Sequence, residues 1–329
     1  MNARPSRSQP GTIAPILAPL VLVLSLAACG QLTGDLGAVA TPPPTVQPSL
    51  ELPSSEPTPG TTPGSSATPA ASASPSDPGA TSAPAGATTV RTYFYLGSFT
   101  DNAGLVPVLR EVPKTQQVGA AAIRELIKGP NDTELGASPA MYTTIPEGTI
   151  FLGLKIDAGI ATVNLSKEFE RDGDVSATKR LAQVVYTLTQ FPTIHGVRFE
   201  LDGVPVTSFG SQGIALDKPV DRATYTDALP AIFVDRPAWG GVLGNPARIV
   251  GLTDVFEATF RVRILDGNRH SLAAGTVMAS CGTGCWGSFD ATLRYSVPAA
   301  GWGTLQVYDL SAKDGSVENR TEYPVWLTP

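Results

Sequence analysis

Between residues 92 and 206 the apolar positions switch between two periods, one that suits strands and one that suits helices. Tyr93-Phe94-Tyr95-Leu96 is an aromatic run fit for a strand, and Val106-Pro-Val-Leu-Arg110 is a second short extended piece. Val118, Ala122, Leu126 and Ile127 then recur at helical spacing, and Gly129-Pro130 stops that helix where a glycine cap and a following proline belong. The stretches from Ile150 to Ile156 and from Ile160 to Leu165 alternate about Asp157-Ala158-Gly159, which predicts a hairpin. Ser176 is placed to cap a second helix, with Leu181, Val184, Val185 and Leu188 along one face. Val197 to Leu201 and Val204 to Val206 flank Asp202-Gly203, a further hairpin turn. The order strand, helix, two strands, helix, two strands predicts an α+β domain over residues 91–228, one mixed sheet carrying two helices on a face.

Past that point the helical period vanishes. Arg248 to Gly251, Phe256 to Leu265, Thr276 to Ser280, Phe289 to Tyr295, Thr304 to Leu310 and Tyr323 to Leu327 are short runs separated by Gly, Pro, Asn or Asp. About seven such runs in roughly a hundred residues predict an all-β sandwich over residues 229–329.

Several short blocks of the first domain resemble one family, in the right order. Arg110-Glu-Val112, Ile127-Lys-Gly-Pro130, Ile145-Pro-Glu-Gly-Thr149, Ala161-Thr-Val-Asn-Leu-Ser166, Thr187-Leu188 and Val197-Arg-Phe-Glu-Leu-Asp-Gly203 are similar to the GerMN domain of sporulation and spore-germination proteins. The resemblance implies a fold akin to the ring-building motifs of secretion-system rings, which associate side by side. It carries over no catalytic residue. Asp254-Val-Phe-Glu-Ala-Thr-Phe260 and Ser311-Ala-Lys-Asp-Gly-Ser316 resemble the immunoglobulin-like domain that accompanies GerMN in bacterial lipoproteins.

The N-terminal end has a different character. Arg4 and Arg7 precede an apolar run from Ile13 to Leu26 that Pro15, Pro19 and Ser25 interrupt. A span of ~30 Å of hydrocarbon needs ~20 apolar residues, so this run fits the h-region of a secretory signal better than a transmembrane helix. Leu26-Ala27-Ala28-Cys29-Gly30 resembles the bacterial lipobox. The resemblance implies removal of residues 1–28, a lipidated Cys29, and a chain held at the outer face of the cell membrane by acyl groups such as palmitate. Two or more such chains anchor durably where one would not. Residues 31–90 are rich in Pro, Ser, Thr, Ala and Gly, and their only charges are Asp35, Glu51, Glu56 and Asp77. With no aromatic residue and no period, nothing there offsets the entropy of ordering, so a disordered linker is expected. As a coil it would reach roughly 40–45 Å.

Composition narrows the chemistry. The 329 residues carry 23 Lys and Arg against 29 Asp and Glu, a net charge of -6, which does not suit a nucleic-acid binder. Two His and three Cys leave little for a zinc or iron site. If Cys29 bears lipid, Cys281 and Cys285 remain as a local pair. In an exported protein they can form a disulfide, stay as two thiols, or supply half of a metal knuckle; with no second pair in the sequence, the disulfide is the expectation.

His195 and His270 fall in different domains, and no G-x-S-x-G, H-E-x-x-H or P-loop occurs. Glu168, Glu170, Asp172 and Asp174 could hold a hard cation, but the spacing lacks the twelfth-position Glu of an EF-hand loop and Arg171 sits among them. A solvated acidic turn ahead of a helix is the plainer reading. Trp239 in Pro237-Ala-Trp-Gly-Gly241 and Trp302 in Ala300-Gly-Trp-Gly303 are flanked by glycine, so both are expected on loops, where they could form an aromatic ligand face. The sequence therefore predicts a non-enzymatic envelope lipoprotein without metal or cofactor. Its partners would be the membrane, through the anchor, and envelope proteins or further copies of itself. The alternative is a sensor that binds peptidoglycan or another wall ligand.

Overall fold

The computed structural model describes residues 86–97, 104–171 and 177–329. Cys29, the signal segment, most of the linker, Ser176, Asp172 and Asp174 lie outside the described residues.

The first domain opens with a long hairpin, β1 (Ala87–Leu96) against β2 (Gly104–Pro113), ten residues each. Strand β1 starts four residues ahead of the boundary expected at 91, because Val90 is buried with Val112 and Ala122 in a small cluster of its own. Helix α1 (Val118–Lys128) buries Ala122, Ile123 and Leu126, and Gly129, at φ +82°, closes it by donating to the Leu126 carbonyl. A four-residue turn α2 (Asp132–Leu135) carries a capping box between Asn131 and Glu134. Short β3 (Met141–Tyr142) joins the other edge of β1. The hairpin β4 (Phe151–Asp157) and β5 (Ile160–Leu165) turns through Ala158 and Gly159, both at positive φ, the geometry of a two-residue type I′ loop. Helix α3 (Ala177–Leu188) follows, then β6 (Gly196–Leu201), which runs parallel to β5, and β7 (Val204–Pro205), which turns back through Asp202 and Gly203. A small hairpin of β8 (Ser208–Phe209) and β9 (Ile214–Ala215) completes the domain.

Apart from the β8-β9 hairpin, the strands thus divide between two sheets, β2-β1-β3 and the mixed β4-β5-β6-β7, where the periodicity suggested one. The physical reason is burial on both sides. Tyr93, Phe94 and Tyr95 are all inaccessible, so consecutive residues of β1 each meet protein, and α1 and α3 both pack on this strand. Gln183 of α3 ties the pieces together: its Oε1 accepts from the Thr144 amide at 2.7 Å and hydroxyl at 2.6 Å, and its Nε2 donates to the Tyr93 carbonyl at 2.8 Å.

The second domain is a sandwich. One sheet contains β10 (Ile232–Arg236), β12 (Ala247–Thr253) and β15 (Gly287–Leu293). The other contains β11 (Val242–Leu243), β13 (Thr259–Leu265), β14 (Ser271–Met278), β16 (Gly301–Leu310) and β17 (Val317–Leu327), in the order β11-β17-β16-β13-β14. Phe260, Val262, Ile264, Leu305, Val307, Tyr323 and Val325 fill the space between the sheets with Ile249 and Phe289. The fold is accordingly α+β followed by an immunoglobulin-like sandwich. Strands β10 and β11 escaped the sequence reading, β10 because Ile232, Phe233 and Val234 are all buried and so show no alternation.

Candidate functional site

The two domains share a continuous apolar core, and a polar cluster is built into their contact. Phe233 of β10 reaches into the first domain, with its ring centroid 6.5 Å from that of Tyr93 and 5.9 Å from that of Tyr186, edge-on to the latter. Beside this trio lies Asp235, two residues along the same strand. Tyr93 donates its hydroxyl to Asp235 Oδ1 at 2.7 Å, Arg222 donates Nη1 to the same oxygen at 3.3 Å, and Arg91 Nη2 stands 3.8 Å from Oδ2. Arg222 also donates Nη2 to the Tyr93 hydroxyl oxygen at 2.8 Å and lies over the Tyr186 ring at 4.7 Å. A capping box at Asp221 and Thr224 fixes the start of the 3-10 turn that carries Arg222.

Burial and charge compete in this cluster. Burial acts to raise the Asp235 carboxyl, but the guanidinium groups of Arg222 and Arg91 outweigh it and hold the pKa below the usual carboxylate range. The Tyr93 phenol is pushed up to about 12, chiefly by burial. Asp235 is therefore ionised and paired, so the junction is fastened by charge as well as by packing. No sequence motif marked it. The one available signal was an acid placed directly after the apolar run from Ala231 to Val234.

Next to the junction a cleft of about 640 Å³ opens between the domains, lined among others by Val106, Pro230, Trp239, Arg269, Arg320 and Glu322. Its floor is tight: a Cβ on Gly104 would fall 2.2 Å from the Pro230 nitrogen, so only glycine lets β2 start there. Trp239 donates its backbone N–H to the Pro107 carbonyl at 2.9 Å, and its ring meets Tyr323 edge-on. Arg269 grips Glu322 through two bonds of 2.9 and 2.8 Å.

Of the aromatic pair expected on loops, Trp239 does lie outside the strands, where it forms a single parallel bridge with Val108, but Trp302 does not. It belongs to β16, opposite Trp326 of β17, with 57% of its surface exposed. Gly303 beside it serves close packing, since a Cβ there would lie 2.4 Å from the Leu265 carbonyl oxygen, whereas Gly301 borders open space. Trp302 stacks edge-on with Trp326 at 5.4 Å and takes no part in lining the cleft, so the two tryptophans do not form one face.

Cys281 and Cys285 are joined in a disulfide with Cα atoms 5.9 Å apart. The loop they close is held by Thr283 N–H to the Val255 carbonyl and Gly284 N–H to Asp254 Oδ1. His195 is exposed in the turn before β6, where its backbone N–H donates to the Gly159 carbonyl. His270 is exposed too, and its Nδ1 lies 3.3 Å from Asp266 Oδ2. Glu170 accepts from the Gly210 amide, and both Glu168 and Glu170 are half-buried. Among the described residues, no three His, Cys, Asp or Glu side chains converge.

These features define a class: a GerMN-type α+β domain joined to an immunoglobulin-like sandwich through a buried charge cluster. Residues 91–207 match the family model Germane, described as sporulation and spore germination, and residues 231–316 match Gmad2, the immunoglobulin-like domain of bacterial spore germination. Among solved structures, the chain is similar to the tandem GerMN domains of the sporulation protein GerM from Bacillus subtilis. The identity is 25% and the TM-score 0.35, over 42% of this chain and 46% of that one, so this chain spans less than half of that protein's length. The first GerMN domain of the same protein matches at 20% identity and a TM-score of 0.35, over 41% of this chain and 98% of that one. CopC from Methylosinus trichosporium OB3b matches at 21% identity and a TM-score of 0.21, over 30% of this chain and 94% of that one. No protein of curated function matches the chain.

Proposed function

We propose that the protein is a sporulation- or germination-related lipoprotein on the extracytoplasmic face of the cell membrane, acting as a non-enzymatic assembly module. The observation that carries this reading is the junction. Two germination-type domains are locked into one body by Asp235, Arg222, Arg91 and Tyr93, which suits a part that holds other parts in fixed register. Lipid on Cys29 would tether that body, and the Pro- and Ser-rich segment would serve as its leash. The test is fractionation of intact cells with mass spectrometry of the processed N-terminus. A diacylated Cys29 in the membrane fraction is expected, and Cys29→Ser should yield released protein or uncleaved precursor. An unmodified thiol on a protein in the soluble fraction would overturn the tether.

The cleft favours a second reading. Trp239 beside Arg269, Arg320 and Glu322 offers an aromatic wall with polar groups, a combination suited to a wall glycan or peptide. Co-sedimentation with purified cell wall, lost on Trp239→Ala, would support it.

A further inference from the structure

The cleft beside the junction carries an unspent charge. Two of the charged groups that line it, Arg269 and Glu322, satisfy each other. Arg269 Nη1 donates to Glu322 Oε2 at 2.9 Å and Nη2 to Oε1 at 2.8 Å, and Gln306 Nε2 adds a bond to Oε1 at 2.7 Å. The bonds from Arg269, with that from Gln306, hold the Glu322 carboxyl below the usual carboxylate range, so it is ionised and fully engaged. Arg320 differs. It lines the same cleft, but among the described residues its guanidinium has no hydrogen bond and no ion pair.

The backbone sets Arg320 in this place. Val307 pairs with Thr321 and Asp309 with Glu318, so Asn319 and Arg320 of β17 stand against Tyr308 alone, which makes a β-bulge. Asn319 adopts φ +50°, a left-handed conformation that asparagine tolerates better than most residues. Its Nδ2 donates to both oxygens of the buried Asp309, at 3.0 and 3.2 Å. Bulges of this kind re-aim a side chain, so an uncommitted guanidinium is presented from a fastened piece of strand. The same lining brings Trp239, Val106, Pro139, Pro230 and Pro324, an apolar surface for the rest of a ligand.

We propose that this cleft binds a short apolar peptide by its free C-terminal carboxylate, with Arg320 as the partner of the anion and Trp239 and the prolines against the peptide body. The proposal rests on the cleft reading above and deepens it, choosing a peptide over a neutral glycan. A guanidinium donates two parallel N–H bonds to a carboxylate, a match in shape as well as charge. One uncommitted cation balances one carboxylate, whereas a phosphate monoester carries more charge than it can neutralise. A neutral sugar would leave Arg320 without a counter-charge. An amine would meet it as a like charge, with Glu322 already taken.

The purified full chain in mild detergent, titrated by calorimetry with N-acetyl-Ala-Ala and with its C-terminal amide, tests the contact. Wild type should bind the acid about tenfold or more tightly than the amide, and the difference should shrink as salt rises. Arg320→Gln should bind both probes as wild type binds the amide, with an unchanged urea midpoint, and Arg320→Lys should restore part of the preference. Trp239→Ala should weaken acid and amide alike. The inference is overturned by equal affinity of wild type for the two probes, or by a preference that survives Arg320→Gln. No heat from either probe up to about 10 mM, or tighter binding of inorganic phosphate than of the acid, would overturn it too. Wall co-sedimentation separates this from the parent reading. Sedimentation lost on Trp239→Ala but kept in full by Arg320→Gln sinks the carboxylate contact alone, whereas sedimentation indifferent to Trp239→Ala sinks the cleft reading itself.

Discussion

Asp235→Ala removes the carboxylate that Arg91, Arg222 and the Tyr93 hydroxyl share, while leaving those three groups in place. The lost contacts are the 2.7 Å bond from Tyr93, the 3.3 Å bond from Arg222 and the 3.8 Å pair with Arg91. Truncating one member of a buried ion pair costs about 3–5 kcal/mol, because the partners stay desolvated without compensation. The side chains of Arg91, Asp235 and Arg222 keep 15, 16 and 25% of their exposure, which sets the expectation at the foot of that range, about 3 kcal/mol. That is roughly a 150-fold shift in the unfolding equilibrium.

Urea titration followed by tryptophan fluorescence reads the effect, since Trp239 lies at the junction. The wild type should unfold in one transition and the variant in two, as the domains part. In an Arg222→Met background the same substitution should cost less than about 2 kcal/mol, because the partner charge is already gone. Acid provides an independent check. The folded Asp235 titrates below its unfolded range, so its contribution is complete above about pH 4 and fades as pH falls through the folded value. Asp235→Asn should therefore flatten the acid limb of the stability curve. A loss below about 1 kcal/mol, or equal losses in both backgrounds, would refute the reasoning.

Other substitutions probe separate parts. Gln183→Ala leaves the Thr144 amide and the Tyr93 carbonyl buried without their partner, and should lower stability by about 3 kcal/mol in the same titration. Replacing Cys281 and Cys285 by serine opens a five-residue loop, for an expected loss of about 2 kcal/mol, with faster exchange confined to the segment around Val255 and Thr283. Trp302→Ala should change stability by less than about 1 kcal/mol, since that ring is mostly exposed. A fall in wall co-sedimentation with that variant would point to the β16 face, and not the cleft, as the ligand surface.

Local chemistry was legible wherever one short signal decides the backbone. Gly129 ending α1, Gly159 in the β4–β5 turn and Asp202-Gly203 before β7 are positive-φ positions that the sequence announced. The strands of the sandwich were visible for the same reason, since most alternate between an inner and an outer face. What the sequence concealed depends on contacts far apart along the chain. Tyr93 and Asp235 are 142 positions apart, and neither residue type is unusual on its own. The division into two sheets was hidden because β1 is buried on both faces and so carries no period. Trp302 misled because a glycine on either side reads as a loop, whereas Gly303 is small to let a neighbouring carbonyl approach.

The claim that matters most is that one fastened pair of domains holds envelope proteins together from a lipid tether. Crosslinking in intact cells from a photoreactive residue at Leu152, followed by mass spectrometry, addresses it most directly. The expected result is discrete crosslinked species in the membrane fraction containing other envelope proteins or further copies of the chain, and their loss when Cys29 is replaced by serine. Uncrosslinked monomer alone, or the same products from released protein, would contradict it.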